Sequence, residues 1–197
     1  MPTNYKLYVS HRFVKFSTMT LYFLQYMFLI QRLNKTKQVL NANEKISYHI
    51  DALFGKGVSN ALPRQLTFSY SRKTGRIKSF GVNDKLVGTL RSDGGIALTI
   101  FGASILLNER SFKQNCIIPK EEALPFVSEG RSLFCKHVEW FGSNINIGSE
   151  AVVIDKSEVV HAVGKSVVSQ SQLLGRIGDV AVRVREGIKS RGEQQNP

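Results

Sequence analysis

The chain has 197 residues, of which 42% are hydrophobic, and it carries 27 Lys and Arg against 15 Asp and Glu for a net charge of +12. That composition supports a buried core and excludes a disordered chain, and the cation surplus favours a polyanionic partner, nucleic acid above all. Cys116 and Cys135 are the only cysteines, and without a C-x-x-C pair a zinc knuckle or a dithiol redox centre is excluded.

In chain order, residues 1–34 form an N-terminal extension with four bases and no acid. Within it "MTLYFLQYMFLI", residues 19–30, is an apolar run of twelve. A spanning helix needs about twenty, and no small-residue cleavage site follows, so neither stable membrane insertion nor a secretory signal is expected. The run reads as a short amphipathic or core helix, with a start at Met19 or Met27 left open. Lys15, Arg32, Lys35 and Lys37 around it would also suit a peripheral membrane contact.

Residues 35–114 hold thirteen bases and five acids. Helical periodicity runs through residues 32–55 and stops at Gly55 and Gly57. Four strands then follow, over 66–71, 76–82, 86–91 and 96–100. They are separated by the turns "RKTG", with Gly75 suited to positive φ, "NDK" and "SDGG". A short helix is expected over 102–109. This is a small α+β domain with an antiparallel sheet and flanking helices. Around the first turn stand Arg72, Lys73, Arg76 and Lys78. They read either as an electrostatic footing for a phosphate backbone or as a charged tip that keeps the protein soluble.

Residues 115–190 are balanced in charge and strand-rich. "NCIIP" is a short strand, and "EEALPFVSEG" is one or two helical turns with Pro125 near the start. "RSLFCKHV" reads as a strand that places Cys135 and His137 on one side, too few ligands for a metal site. Strands follow after Gly148 and over 158–168. Residues 169–175 make a short helix capped by Ser169 and stopped by Gly175. The last strand, 179–185, alternates so that Val180, Val182 and Val184 face one way and Ala181, Arg183 and Arg185 the other. Short strands following one another so closely over about 75 residues suggest a barrel-like sheet. Residues 191–197 are a low-complexity tail.

Three pieces of this second half, "FVSEGRSLFCKHV", "IGSEAVVIDKSEVVHAVGKSVVS" and "GDVAVRVREGI", resemble in order the PUA domain of pseudouridine synthases and archaeosine transglycosylases. "FGKGVSNAL", "SYSRKTGRI" and "LVGTLRSDGGIALTIFGA" are similar to the module that precedes PUA in archaeal transglycosylase-related proteins. The resemblance implies a pre-PUA α+β domain followed by a β pseudobarrel. It also implies that the short helix and the strand after its glycine face RNA. Gly130 would let the backbone approach a phosphate, and it reads equally as a helix C-cap, the two roles being compatible. Arg131 would grip phosphate bidentately, with Ser132 and Lys136 on the same strip. Lys165, Arg183 and Arg185 complete the candidate set, although a solvated strand face would also explain the two arginines.

No P-loop, G-x-G-x-x-G, H-E-x-x-H or G-x-S-x-G is present, so no cofactor is expected. The families named above work through an Asp in a separate large domain that these residues do not match, so no catalysis is expected. His161, in an apolar strand, reads as a satisfied core histidine. The expected function is a cytoplasmic, non-catalytic RNA-binding protein. It would take tRNA, or an rRNA helix, by phosphates, shape and one or two unpaired nucleotides. An accessory subunit that delivers tRNA to a modification enzyme, or a re-initiation factor on the small ribosomal subunit, are the alternatives.

Overall fold

The structure is a computed structural model, and it describes residues 41–190. The extension 1–34, its apolar run 19–30 and the tail 191–197 lie outside the described residues. No helix among the described residues is long and apolar enough to cross a membrane.

Helix α1 (Ala42–Phe54) begins at a reciprocal cap, in which Glu44 N–H donates to Asn41 Oδ1 at 2.8 Å and Asn41 N–H to Glu44 Oε2 at 3.0 Å. Its apolar positions Ile46, Ile50 and Phe54 recur at helical spacing and are buried. Four antiparallel strands follow in sequential order: β1 (Thr67–Tyr70), β2 (Ile77–Val82), β3 (Lys85–Leu90) and β4 (Ile96–Leu98). The β2–β3 loop is Asn83-Asp84, both at positive φ, which matches the right-handed twist of the flanking strands. Helix α2 (Ile100–Leu106) starts two residues earlier than its sequence pattern suggests. The cause is Thr99, whose hydroxyl accepts from Gly102 N–H at 3.0 Å and caps the helix.

The second sheet has the order β6-β10-β9-β8-β5-β7. Its strands are β5 (Cys116–Pro119), β6 (Leu133–Phe134), β7 (Val138–Phe141), β8 (Glu150–Ile154), β9 (Val160–Ser166) and β10 (Val180–Gly187), and α3 (Leu124–Ser128) precedes β6. β5 and β8 are parallel, and the other pairs are antiparallel. β6 and β7 stand at opposite ends of this order, yet only the 3-10 turn Cys135–His137 separates them. Five strand gaps in a flat sheet would span about 24 Å, whereas three residues reach about 10 Å. The sheet must therefore curl until its ends meet, which makes it a pseudobarrel.

This corner corrects the reading of "RSLFCKHV" as one strand. Strand pairing stops at Phe134, Cys135 turns inward, and the chain crosses to β5, where Lys120 N–H donates to His137 O at 2.8 Å. Cys135 and His137 consequently do not share a strand face. Residues 169–175 are also corrected: they form 3-10 turns at Gln170–Gln172 and Leu174–Arg176, and Gly175 lies inside the second. Leu174 and Ile177 stay exposed there, so no buried apolar stripe supports a regular helix.

β8 is buried along its whole length, because its two faces serve two cores. Val152 and Ile154 pack with Ile46, Phe80, Leu98 and Phe112 of the first module. Ala151 and Val153 face the barrel interior with Ile117, Leu133 and Val182. One continuous core thus joins the α+β module to the outside of the barrel.

Candidate nucleic-acid interface

The turn after α3 is built by Gly130. At φ +95 it lets its N–H donate to Val127 O at 2.9 Å while Arg131 N–H donates to Phe126 O at 3.0 Å, the paired bonds of a Schellman end. The chain then leaves the helix sharply and delivers Arg131 and Ser132 into β6. Below the turn, His161 links three elements: Nδ1 lies 2.9 Å from Ser128 Oγ and Nε2 lies 3.1 Å from Asp155 Oδ2. Ser128 is buried and its hydroxyl donates to Leu124 O at 2.7 Å, so this Ser–His–Asp series anchors the helix and offers no nucleophile.

Arg131 projects into a groove of about 390 Å³ lined by Glu122, Phe126, Arg131, Ser132, Phe134 and His137, among others. Its guanidinium carbon sits 5.3 Å from the centre of the Phe126 ring, a cation–π contact, and its Nε is 3.6 Å from Glu129. Phe126 and Phe134 are 51% and 41% exposed, high values for phenylalanine. Lys136, on the 3-10 turn beyond, is exposed, and its N–H donates to Ile177 O at 3.2 Å.

β6 pairs with β10 through Leu133 and Val182, so Arg183 follows directly on the residue opposite Leu133. Arg183 in turn pairs in register with Lys165 of β9. Both are exposed, and Lys165 Nζ is 3.6 Å from Asp93. Arg185 stands differently. A bulge falls between Val184 and Glu186, and the Arg185 guanidinium is bound by the buried Glu150 carboxylate and by Leu98 O. Glu150 needs that cation, because a buried carboxylate without partners is costly. The structure therefore groups Gly130, Arg131, Ser132 and Lys136 around β6, sets Arg183 beside Lys165 on the neighbouring strands β10 and β9, and binds Arg185 to the first module.

Arg72, Lys73, Arg76 and Lys78 lie on the β1–β2 hairpin, all exposed. Arg76 and Lys78 face a cleft of about 790 Å³ between this hairpin and α1, with Lys45, His49, Tyr70 and Arg91. No carboxylate is among its described lining residues. Beside it, the Arg91 side chain and the Gly95 amide hold the Asp93 carboxyl well below the usual range, so that acid stays ionised and neutralises Arg91.

Sequence reasoning missed Phe126 and Phe134 because aromatic residues ordinarily read as core. "PFVSEG" did carry a signal: Phe126 and Val127 are adjacent on a single helical turn, and only one can point inward. It also missed Lys45, His49 and Tyr70, which reach the hairpin only through the tertiary fold.

Comparison with known proteins agrees with this architecture. Residues 44–112 match the patch-forming domain C2 of tRNA-guanine transglycosylase, and residues 116–188 match the PUA domain. A tRNA-guanine(15) transglycosylase of Thermoplasma volcanium is 32% identical over 145 residues, covering 73% of this chain and 23% of the relative. The chain thus spans about a quarter of the length of such relatives, the part that holds their C2 and PUA domains. A hypothetical protein from Pyrococcus horikoshii, a solved structure, superposes with a TM-score of 0.58 at 17% identity, over 74% of this chain and 89% of its own. A PUA domain protein from Aeropyrum pernix gives 0.52 at 14% identity, over 76% and 84%. At these identities the two structures speak for the fold alone.

Proposed function

From a chain that carries a PUA domain behind a C2 domain of the tRNA-guanine transglycosylase type, we propose that the two modules bind structured RNA, tRNA first among it, without catalysis of their own. One observation carries this reading. The Gly130 turn brings a helix end, Arg131, Ser132 and Lys136 along β6, whose strand partner β10 carries Arg183 one residue past the position opposite Leu133. Guanidinium and ammonium groups so placed take phosphate oxygens by charge-assisted hydrogen bonds. The hairpin cations Arg72, Lys73, Arg76 and Lys78 widen the footing without reading bases.

In this reading the protein works in the cytoplasm and presents tRNA to a modifying enzyme, whose active site lies outside these 197 residues. The resemblance to the C-terminal part of transglycosylases favours that setting over a ribosomal one.

Fluorescence anisotropy with labelled total tRNA tests it. Binding weakens about 100-fold or more between 50 and 200 mM salt if about four phosphates are neutralised. The Arg131→Glu/Lys136→Glu variant loses that binding. Loss confined to Arg72→Glu/Lys73→Glu moves the RNA to the hairpin, and absence of binding by the wild type overturns the reading.

A further inference from the structure

Where the two modules join, the β3–β4 turn and the loop entering β8 enclose a cavity of about 420 Å³. Leu53, Phe54, Ile96 and Ile147 give it apolar walls, and Leu53 and Ile147 remain 37% and 59% exposed. Arg91, Asp93, Ser149, Glu150 and Lys165 make its polar rim. Apolar walls with a few convergent polar groups, in a cavity of this size between packed modules, are the form of a small-molecule site.

What the rim has left to offer decides the ligand. Its carboxylates are used up. Asp93 Oδ1 accepts from Arg91 Nε and from Gly95 N–H, both at 3.0 Å, and Oδ2 accepts from Arg91 Nη2. Glu150 Oε1 accepts from Leu98 N–H at 2.9 Å and from Arg185, which also takes Oε2. The donors are not used up. Among the described residues Arg91 Nη1 makes no hydrogen bond, with Glu150 Oε2 standing off at 3.8 Å. Lys165 Nζ has Asp93 Oδ2 at 3.6 Å, beyond hydrogen-bond distance. Ser149 Oγ accepts from Asn146 N–H at 3.1 Å, and no acceptor among the described residues takes its hydrogen. These donors lie close together. Arg91 and Lys165 flank the same Asp93 oxygen, and a Cβ on Gly148, next to Ser149, would stand 3.5 Å from Lys165 Cε. A Cβ on Gly95 would press to 3.1 Å from Arg91 Cζ, so the glycine lets that guanidinium lie against the turn. Asp93 offsets one of the two cations, and Arg185 offsets Glu150. One positive charge and three spare donors remain beside an apolar wall.

We propose that this junction cavity binds a small organic acid, its carboxylate held by Lys165, Ser149 and Arg91 Nη1 and its apolar body laid against Leu53 and Ile147. The proposal stands without the RNA-binding reading. Such a ligand bridges the modules, because Leu53 and Arg91 belong to the first and Ser149 and Lys165 to the second.

The test is a titration of the full chain with phenylacetate, followed by amide chemical shifts. The Gly94, Gly95, Gly148 and Ser149 amides shift together, with a Kd of about 1 mM, ordinary for so small a ligand. Phenylacetamide, which lacks the charge, binds about 10-fold more weakly. Acetate and inorganic phosphate, which lack the apolar body, also bind about 10-fold more weakly. Lys165→Met and Ile147→Asp each weaken phenylacetate about 10-fold while leaving the melting temperature unchanged, since both side chains are largely exposed. Acetate or phosphate binding as tightly as phenylacetate would show a site that reads only negative charge, as it would on an RNA backbone, and overturns the proposal. So do shifts confined to other parts of the chain, or phenylacetate affinity that survives Lys165→Met.

Discussion

Arg185 and Glu150 form a two-pronged ion pair across neighbouring elements of the fold: Nη1 donates to Oε2 at 3.1 Å, Nη2 donates to Oε1, and the same Nη2 reaches Leu98 O in the first module. Leu98 N–H donates to Glu150 Oε1 at 2.9 Å, and Arg91 Nη1 lies 3.8 Å from Oε2. The Glu150 side chain is 2% exposed. Removing Arg185 leaves that carboxylate with one distant cation. Arg185→Ala therefore destabilises the protein by about 3 kcal/mol in urea unfolding. An unchanged midpoint would show that Arg91 suffices.

The same carboxylate makes stability depend on pH in an uncommon direction. Burial pushes the Glu150 carboxyl above its ordinary value, against the opposing pull of Arg185, the Leu98 amide and Arg91. With a raised folded-state pKa, the folded chain holds this proton more firmly than the unfolded chain. The stability it contributes is present below the unfolded value of about 4.3 and is lost as pH rises through the folded value. Glu150→Gln, which cannot ionise, removes this dependence. Between pH 4 and pH 7 the wild type loses stability relative to Glu150→Gln, measured by urea midpoints in parallel. A constant difference would place the Glu150 pKa at its unfolded value.

Turns made the first module legible in the sequence, since Gly75 and the Asn83-Asp84 pair occupy positive φ between alternating runs. The barrel was legible as a run of short strands, but its corner, and β7 just beyond it, were not. Cys135-Lys136-His137 contains no Gly, Pro or Asn, and nothing local says that the chain must cross from β10 to β5. That need arises from the order of the whole sheet. The site divides in the same way. Gly130 announces itself by following a helical turn and preceding a strand. Arg185 gave no sign of its fate, because its partners Glu150 and Leu98 are 35 and 87 residues away. A strand pattern can show which way a side chain faces, but it does not show what waits there.

Two glycines at the turn are held for different reasons, and substitution separates them. Gly130 has φ +95, and an added Cβ would meet Ser190 Cβ at an ordinary 3.7 Å, so Gly130→Ala costs only the strained backbone, about 1 kcal/mol. At Gly187 the added Cβ would lie 2.3 Å from Ser128 O and 2.5 Å from Gly130 N. β10 must move away from the turn, and Gly187→Ala costs about 3 kcal/mol. Thermal denaturation of the two variants checks the order. Gly130→Ala costing the more would mean that backbone strain outweighs the close approach.

Cys116 is fully buried in the shared core, and burial pushes its thiol up to about 12. Cys135 is buried as well, and burial also raises its thiol. Thiolate is the reactive form, so neither residue reacts readily in the folded protein at pH 8. A thiol-reactive disulfide reagent finds close to zero rapid equivalents in native protein and two in urea. One rapid equivalent in the native state would show that the corner at Cys135 opens to solvent.

Arg183 and Lys165 stand opposite each other on adjacent strands, like charges in a position that disfavours the fold. Lys165 has Asp93 at 3.6 Å as a counter-charge, and Arg183 has no acid within ion-pair distance among the described residues. In the RNA-binding reading proposed above, a phosphate offsets the repulsion between these two cations. Arg183→Ala should then leave the urea midpoint unchanged or raise stability by up to about 0.5 kcal/mol, in contrast to Arg185→Ala. It should also lower the slope of log affinity for tRNA against log salt by about one unit, the value of one phosphate contact. A destabilised variant with an unchanged salt slope would make Arg183 a structural residue and return the RNA edge to Arg131 and Lys136 alone.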